Sequence, residues 1–246
     1  MLQRDVAPGI HRIEDSYVNW YLVESEGRFT IVDAGVPTSW LSLQEALRQL
    51  GAAADRVDAL VLTHAHFDHI GFAERARSEL GIPVWVHEDD VPLTRHPLQY
   101  ARERNPLLYL LRSQTLPIAL AFVRSRAFFP KPIAEVRRYG DEGTLDVPGS
   151  PQIVYTPGHT LGHCSLHFPD RNVVIAGDAL VTFNPYTNET GPQLVARAAT
   201  ADSERALRSL DALAATGASV LLPGHGEPWR GGVEAAVAEA RAAGVK

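Results

Sequence analysis

Short apolar runs alternate with turn residues in the first third of the chain, a pattern typical of β-strands separated by tight turns. We predict strands over residues 17–24, 29–32, 57–63 and 84–86. Between them, Trp40, Leu43 and Leu47 recur at helical spacing and predict a helix that ends at Gly51. A second helix is expected over residues 72–80, because Gly81 follows it.

The second half repeats this alternation of strands and helices. We predict strands over residues 152–155, 164–168, 172–176 and 219–222, with helices over 203–215 and 232–243. Two strand-rich halves with helices between them predict an α/β (α+β) fold, in which helices pack outside two sheets. At 246 residues, the chain is interpreted as a single domain, 1–246.

Residues 91–138 differ from the rest of the chain in charge. They carry nine Lys and Arg against two Glu, a net +7, which leaves −13 for the remainder of a chain of net charge −6. We interpret them as a helical insertion of two helices broken near Pro117. Apolar residues at roughly helical spacing form one predicted face, namely Leu107, Leu111, Ile118 and Phe122.

Three interpretations of this insertion remain open. It could be a lid over a site, an interface of a homodimer, or a solvated basic face. As a lid it would accept an apolar group, and Arg124 and Arg126 would attract an anionic one.

Composition restricts the class of protein. Hydrophobic residues make up 45% of the chain, which is typical of a globular protein. The net charge of −6 argues against a nucleic-acid partner, and the single cysteine, Cys164, excludes an internal disulfide. Without an apolar leader or a long apolar run, we expect no membrane span and a cytoplasmic location.

Histidine and aspartate cluster where predicted strands end. His64, His66, Asp68 and His69 lie within six residues, directly after the strand predicted at 57–63. Three more residues follow later strands, each beside a glycine: His159, Asp178 and His225. Strand ends at one edge of a sheet can converge, and imidazole with carboxylate suits a cation such as zinc. This ordered set of seven predicts a metal site.

In this order and spacing the set resembles the metallo-β-lactamase superfamily in its two-metal hydrolase form. The resemblance covers nearly the whole chain, including Asp33-Ala34-Gly35. It implies a four-layer αββα sandwich with the site at one edge of the two sheets. It also implies that one metal is held by His64, His66 and His159, the other by Asp68, His69 and His225, with Asp178 bridging them. Asp33 would orient a ligand histidine.

The resemblance implies a reaction as well. A hydroxide shared by two divalent ions would attack a carboxylic ester, lactone or thioester. Zn²⁺ is the expected metal, with Fe or Mn as alternatives. Asp68 could move a proton to the leaving group. Tyr186 could donate a hydrogen bond to the oxyanion or simply pack its loop, and His163 could support a ligand or contact substrate.

Several superfamily members fit poorly. No cysteine is present at the second site, which disfavours an antibiotic substrate. The Gly-Cys-Gly-Arg stretch of hydroxyacylglutathione hydrolases is also absent, whereas N-acyl homoserine lactonases remain open. The substrate is expected to be a small molecule, both apolar and anionic. The alternatives are a mononuclear iron dioxygenase of a sulfur substrate and a non-catalytic, metal-stabilised binding protein.

Among the other histidines, His87 and His167 are predicted to be structural, and His11 and His96 to lie on the surface.

Overall fold

Thirteen strands and seven helices form the described part of the chain. A computed structural model describes residues 1–110 and 115–246. Leu111 of the predicted apolar face therefore lies outside the described residues. None of the described helices is long and apolar enough to cross a membrane.

The first sheet has seven strands arranged in the order of the sequence. They are β1 (Leu2–Ala7), β2 (Ile10–Asp15), β3 (Val18–Ser25), β4 (Arg28–Val32), β5 (Val57–Val61), β6 (Val84–His87) and β7 (Arg137–Tyr139). The first four strands are antiparallel neighbours, whereas β4 to β7 run parallel. The parallel strands therefore end at the same edge of the sheet.

The second sheet has four strands, and a two-stranded hairpin lies between two of them along the chain, after β10 and before β13. The strands of the second half are β8 (Gln152–Tyr155), β9 (Cys164–Phe168), β10 (Val173–Gly177), β11 (Val181–Asn184), β12 (Glu189–Gln193) and β13 (Val220–Pro223). The sheet order is β13-β10-β9-β8, with β10 and β13 parallel, and β11 pairs with β12.

Helices cover both outer faces of this sandwich. They are α1 (Ser39–Leu50), α2 (Ala73–Leu80), α3 (Val91–Arg95), α4 (Leu107–Leu110), α5 (Leu116–Arg124), α6 (Ser203–Ala214) and α7 (Val233–Ala243). The first two pack on the first sheet and the last two on the second. The other three belong to the insertion.

The alternation of side chains along β10 explains the layering. Val173 and Ile175 pack against residues of the first sheet, whereas Val174 and Ala176 pack under α6 and α7. Successive side chains of a strand point to opposite faces, so a strand that is apolar throughout must be covered on both sides. The four-layer αββα sandwich is thereby confirmed.

Most predicted elements lie within two residues of those observed, but five strands were missed: β1, β2, β7, β11 and β12. In the insertion, the prediction of two helices omits α3. Pro117 lies in the first turn of α5, where proline is tolerated because no helical hydrogen bond is lost. The prediction that His11 lies on the surface is wrong. Its ring is buried on β2, where Nδ1 accepts a hydrogen bond from the backbone N–H of Asp5 at 3.1 Å.

Candidate metal centre

The seven residues singled out in the sequence lie at one edge of the sandwich. In the first sheet, Asp33 follows β4 and His64 follows its parallel neighbour β5. In the second sheet, Asp178 follows β10 and His225 follows its parallel neighbour β13. His159 follows β8, which runs in the direction of β10 because both are antiparallel to β9. The carboxyl ends of both sheets thus supply the side chains of this site.

Two groups of three buried side chains bring their ligand atoms within 4.8 Å of one another. The first group is His64, His66 and His159, and the second is Asp68, His69 and His225. They are the two sets that the resemblance implies for the first and the second metal.

Asp178 lies between the two groups. One carboxylate oxygen, Oδ2, is 3.4 Å from Nε2 of His159 and 3.3 Å from Nε2 of His225. The other, Oδ1, is 3.6 Å from Nε2 of His69. Since His159 belongs to the first group and the other two histidines to the second, this single carboxylate faces both.

Six buried ligand atoms in this centre form no hydrogen bond within the described part of the chain. They are Nε2 of His64, His66 and His69, both ring nitrogens of His159, and Oδ1 of Asp178. A buried polar atom without a partner typically costs about 1–3 kcal/mol. Imidazole nitrogen and carboxylate oxygen are ligands of divalent metals, so a bound cation would satisfy these atoms. The donor set therefore fits divalent metal ions.

Hydrogen bonds on the far side of three rings fix which nitrogen faces the centre. His64 Nδ1 lies 3.0 Å from the Thr63 hydroxyl, and His225 Nδ1 lies 2.7 Å from the carbonyl oxygen of Tyr17. His69 Nδ1 lies 3.2 Å from Oδ2 of Asp33. A carbonyl or carboxylate can only accept, so Nδ1 of His225 and of His69 donates, and Nε2 remains free to bind metal.

Asp33 has both carboxylate oxygens in use. Oδ1 accepts from the backbone N–H of Thr63 and Oδ2 from its hydroxyl, each at 2.8 Å, and Oδ2 also faces His69. Asp33 also lies near His64 and His69 in a third candidate ligand group. These bonds leave both oxygens of Asp33 occupied by Thr63 and His69, an arrangement that can orient the His69 ring.

In the described part of the chain, the carboxylates of the centre are not paired with any Lys or Arg. Within the described ranges, no Lys or Arg forms a salt bridge with Asp33, Asp68 or Asp178; their only ion-pair partners are histidines. Burial raises the pKa of Asp68. Burial also opposes ionisation of Asp178, but His225 and His69 outweigh it and hold its pKa well below the usual range.

The histidines divide into two electrostatic classes. Burial lowers the pKa of His66 to about 3 and holds that of His159 well below its usual value, so both are neutral, the form that binds metal. Burial acts on His69 too, but Asp178 and Asp33 outweigh it and raise its pKa to about 10. The surroundings of His69 therefore favour a positive charge, which a metal ion would supply.

His163 supports Asp178 and uses both ring nitrogens to do so. Nε2 accepts a hydrogen bond from the backbone N–H of Asp178 at 3.0 Å, and Nδ1 lies 2.9 Å from the Thr156 hydroxyl. Burial lowers the pKa of His163 to about 3, which keeps the ring neutral. Of the two roles left open by the sequence, this geometry matches support of a ligand.

Asp90, which the sequence analysis missed, joins the two loops that carry the first group. Its Oδ2 accepts from the backbone N–H of Ala65 at 2.9 Å and from the Thr160 hydroxyl at 2.8 Å. Its Oδ1 accepts from the backbone N–H of Gly162 at 2.9 Å. One buried carboxylate thereby sets the His64–His66 loop against the loop of His159. Asp90 stands in a run of three acidic residues after a predicted strand, but this run does not show which loops it joins.

Asn19, also missed, holds the loop of His225. Its side-chain N–H groups donate to the carbonyls of Pro223 at 2.9 Å and Gly226 at 2.7 Å. Gly224, between them, approaches the centre so closely that a Cβ there would lie 2.0 Å from Oδ1 of Asp178. Glycine is required at this position for a steric reason.

A cavity of about 340 Å³ opens beside the donors and is walled largely by the insertion. Its apolar lining from residues 91–138 includes Leu98, Leu107, Ile118, Phe122 and Phe128. Phe67, next to His66 in the sequence, packs against this wall, with its ring 6.1 Å from that of Phe122. The wall and the metal donors therefore share one space.

Three tyrosines and one arginine also line the described cavity, namely Tyr100, Tyr109, Tyr186 and Arg102. Tyr186 lines it together with Tyr100, whose ring lies 4.5 Å from that of His66. Burial, Tyr100 and Asp68 raise the pKa of Tyr186 well above its usual value, so its hydroxyl stays protonated. Arg102 is the only Lys or Arg among the described lining residues, and Arg124 and Arg126 lie outside the cavity. Neither Tyr100 nor Arg102 carried a sequence signal, because both lie in an irregular stretch.

Comparison with known proteins gives the family. The sequence profile of the metallo-beta-lactamase superfamily matches residues 13–225. The chain belongs to this superfamily, which confirms the resemblance noted in the sequence.

Relatives with similar sequence and structure span most of the chain. It is 27% identical over 242 residues to "Probable metallo-hydrolase YflN" of Bacillus subtilis, covering 92% of this chain and 87% of that protein. Among solved structures, the metallo-beta-lactamase family protein TTHA1429 from Thermus thermophilus has a TM-score of 0.69 at 27% identity, covering 94% and 78% of the two chains. TTHA1623 in a di-iron-bound form has a TM-score of 0.64 at 26% identity, covering 91% and 95%.

Proposed function

We propose that this protein is a hydrolase of carboxylic esters, lactones or thioesters that works with two divalent metal ions. The observation that carries the proposal is the pair of buried donor groups with Asp178 between them. The name of YflN, a metallo-hydrolase, supports the reaction class. Two complete donor groups favour two ions over the single iron of a sulfur dioxygenase.

The donors divide between the two ions as the geometry groups them. His64, His66 and His159 would hold one ion, Asp68, His69 and His225 would hold the other, and Asp178 would serve both. Zn²⁺ suits this nitrogen and oxygen set, and the di-iron form of TTHA1623 makes iron the first alternative. When bound, two such ions supply a hydroxide nucleophile at neutral pH and stabilise developing negative charge.

The chain's own groups position the substrate and move the proton. Tyr186 keeps its proton and lines the cavity beside Asp68, so its hydroxyl can donate a hydrogen bond to the oxygen of the reacting carbonyl. Asp68 lies in the same wall, so its carboxylate can take up a proton during the reaction and pass it to the leaving group. These two are the proposed catalytic residues.

The insertion selects the substrate. Its apolar wall receives an acyl chain, and Arg102 attracts an anionic group near the cavity. In this proposal residues 91–138 form a lid over the site and are part of the single domain.

The proposal is tested by metal analysis together with a panel of acyl lactones, thioesters, aryl esters and phosphodiesters. We expect about two ions per chain and turnover of an acyl substrate that chelation removes and added metal restores. One iron per chain with oxygen uptake on a sulfur substrate would establish the dioxygenase instead. Bound metal without turnover of any substrate would establish a binding protein.

We call the apolar wall that is proposed to receive the acyl chain the acyl wall. It can be tested with a matched control on the same helix. Ile118 is buried against the cavity, whereas Leu120 is 45% exposed on the outside of α5. Ile118→Trp should fill the cavity and lower kcat/KM for long acyl esters at least about tenfold more than for acetyl esters. Leu120→Trp should leave this ratio unchanged. Equal losses for both chain lengths in Ile118→Trp would exclude the acyl wall.

A further inference from the structure

Exposed apolar side chains are concentrated in the insertion. Of eleven large apolar side chains that are exposed in the described residues, eight lie between residues 91 and 138. The most exposed of these is Phe129, at 78%. Single exposed apolar residues are ordinary, but a cluster on one segment marks an interaction surface.

Helix α5 has two apolar faces. Leu116, Leu120 and Val123 are spaced by four and three residues, so they share one face, and all three are exposed. Ile118 and Phe122 lie on the opposite face and are buried against Phe67. Since the inner face accounts for the packing of the helix, the fold itself gives no reason for an apolar outer face.

Basic side chains adjoin this outer face. Val123 and Phe129 line an open groove of about 840 Å³ together with Arg75, Arg126 and Lys131. The one acidic residue of the groove, Glu79, is paired with Arg75 at 2.6 Å. Arg126 and Lys131 form no salt bridge with any residue in the described ranges. Arg124, the last residue of α5, is likewise exposed.

We call this surface the outer patch. It consists of Leu116, Leu120, Val123, Phe129, Arg124, Arg126 and Lys131.

Charge decides between two occupants of the outer patch. A second copy in a two-fold dimer would set the same basic residues of both copies near each other, at a cost in repulsion. An anionic lipid surface instead matches the basic side chains, while the apolar ones enter the boundary between headgroups and acyl chains. The net +7 of residues 91–138, on a chain otherwise at −13, favours the lipid surface.

We propose that the outer patch docks this protein on the surface of an anionic lipid membrane. Phe129, Val123, Leu116 and Leu120 insert at the interface, and Arg124, Arg126 and Lys131 contact lipid phosphates. Docking of this kind is peripheral and reversible, and it is independent of the reaction at the metal centre.

The test is co-sedimentation of the metal-loaded full chain with vesicles. The vesicles are pure phosphatidylcholine, or phosphatidylcholine with about 30% phosphatidylglycerol, at about 0.1 M and about 1 M salt. We expect binding only to the anionic vesicles and its loss at high salt. The same binding to both vesicle types, or to neither, would overturn the proposal.

Two variants separate the parts of the patch. The combination of Arg124→Ala, Arg126→Asn and Lys131→Ala should lower partitioning roughly 100-fold, at about fivefold per charge. Asn is chosen for Arg126 because its φ of 59° lies in the left-handed region. Val123→Ser with Phe129→Ser should lower partitioning about tenfold or more.

Matched controls lie elsewhere on the surface. Leu41→Ser on α1 removes an exposed apolar residue outside the insertion, and Arg208→Ala on α6 removes an exposed charge. Both should bind vesicles as the unchanged protein does, and all variants should retain metal content and thermal stability. Equal losses in the controls would overturn the proposal. Light scattering that finds a dimer abolished by the patch variants would assign the patch to a second copy.

Discussion

The metal centre and the outer patch differ in how far their polar groups are already bonded within the protein. In the centre, the ring nitrogens of His64, His69 and His225 that face away from the donors each have a hydrogen-bond partner. On the outer patch, Arg126 and Lys131 are exposed and lack a salt bridge with the described residues. The centre is thus held rigid by its surroundings, whereas the patch is not.

This difference indicates what each region binds. A metal site must hold its ligands in place before the ion arrives, and buried hydrogen bonds behind the ligands do so. A fluid lipid surface demands no fixed geometry, so exposed, rotatable basic side chains suffice. Single substitutions in the rigid metal centre should therefore have large effects on metal binding. Single substitutions on the solvated outer patch should have small effects on binding that depend on salt.

The largest expected effect is at Asp178. Asp178→Ala should lower the metal content at both positions and abolish measurable hydrolysis, because this carboxylate faces both donor groups. The loss in metal affinity should exceed the roughly 100-fold typical of removing a hydrogen bond behind a ligand. The metal content is measured by elemental analysis after gel filtration. The control is Asp141→Ala, because Asp141 is an exposed carboxylate that pairs with His87. An unchanged metal load would exclude the shared ligand.

Asp90 tests whether hydrogen bonds behind the ligands matter. In Asp90→Asn, one carboxylate oxygen becomes an N–H₂ group that faces the donors of Ala65, Thr160 or Gly162. The affinity of the first donor group, His64, His66 and His159, for its ion should fall about 10- to 100-fold, measured by titration with a competing chelator. The exposed neighbour Asp89→Asn is the matched control. If both variants bind metal like the unchanged protein, Asp90 does not organise the site.

The residues of the centre also show how much of the site the sequence could predict. His64, His66, Asp68 and His69 were visible because ligand residue types directly follow an apolar strand. Asp90 was not, since its three bonds reach Ala65, Thr160 and Gly162 across as many as 72 positions of sequence. A contact of that kind is created by the fold and has no local pattern.

A contact between residues far apart in the sequence also explains why strand β2 was missed. It carries a buried Arg12, which disguises the apolar alternation of a strand. Arg12 is tolerated because Asn19, Gln3 and Glu227 each accept a hydrogen bond from it at 2.8 Å. A charged residue is buried only when it is paired, and Glu227 lies more than 200 positions away. The strands with ordinary apolar patterns, β8 and β9, were predicted to the residue.

His163 predicts how stability of the metal-free protein depends on pH. Its pKa is about 3 in the fold because of burial, against 6.5 in an exposed chain, so between these values only the unfolded state binds the proton. Its contribution is therefore fully present above pH 6.5 and is lost as the pH falls towards 3. His163→Gln should lower the slope of unfolding free energy against pH by up to about 1.4 kcal/mol per unit.

This slope is measured by urea unfolding in the presence of a chelator at pH values from 5 to 7. That range includes the pKa of about 6.5 that a histidine has in the unfolded chain. The exposed His96→Gln should leave it unchanged. A slope in His163→Gln equal to that of the unchanged protein would mean that the ring takes up a proton in the folded state, in conflict with the bond from the Asp178 backbone to its Nε2.

The smallest expected effect is a change in KM that should distinguish the two sides of the insertion. Arg102 lines the cavity, whereas Arg124 belongs to the outer patch. Arg102→Ala should raise KM for an ester with a carboxylate on its acyl chain about two- to fivefold, the range of an exposed ion pair. KM for the neutral ester should stay the same, and the effect should shrink at high salt. Arg124→Ala should change neither KM, because Arg124 is exposed and does not line the cavity. If Arg124→Ala instead raised KM for the anionic ester as much as Arg102→Ala, substrate attraction would belong to the whole basic insertion, and the division between its two sides would fail.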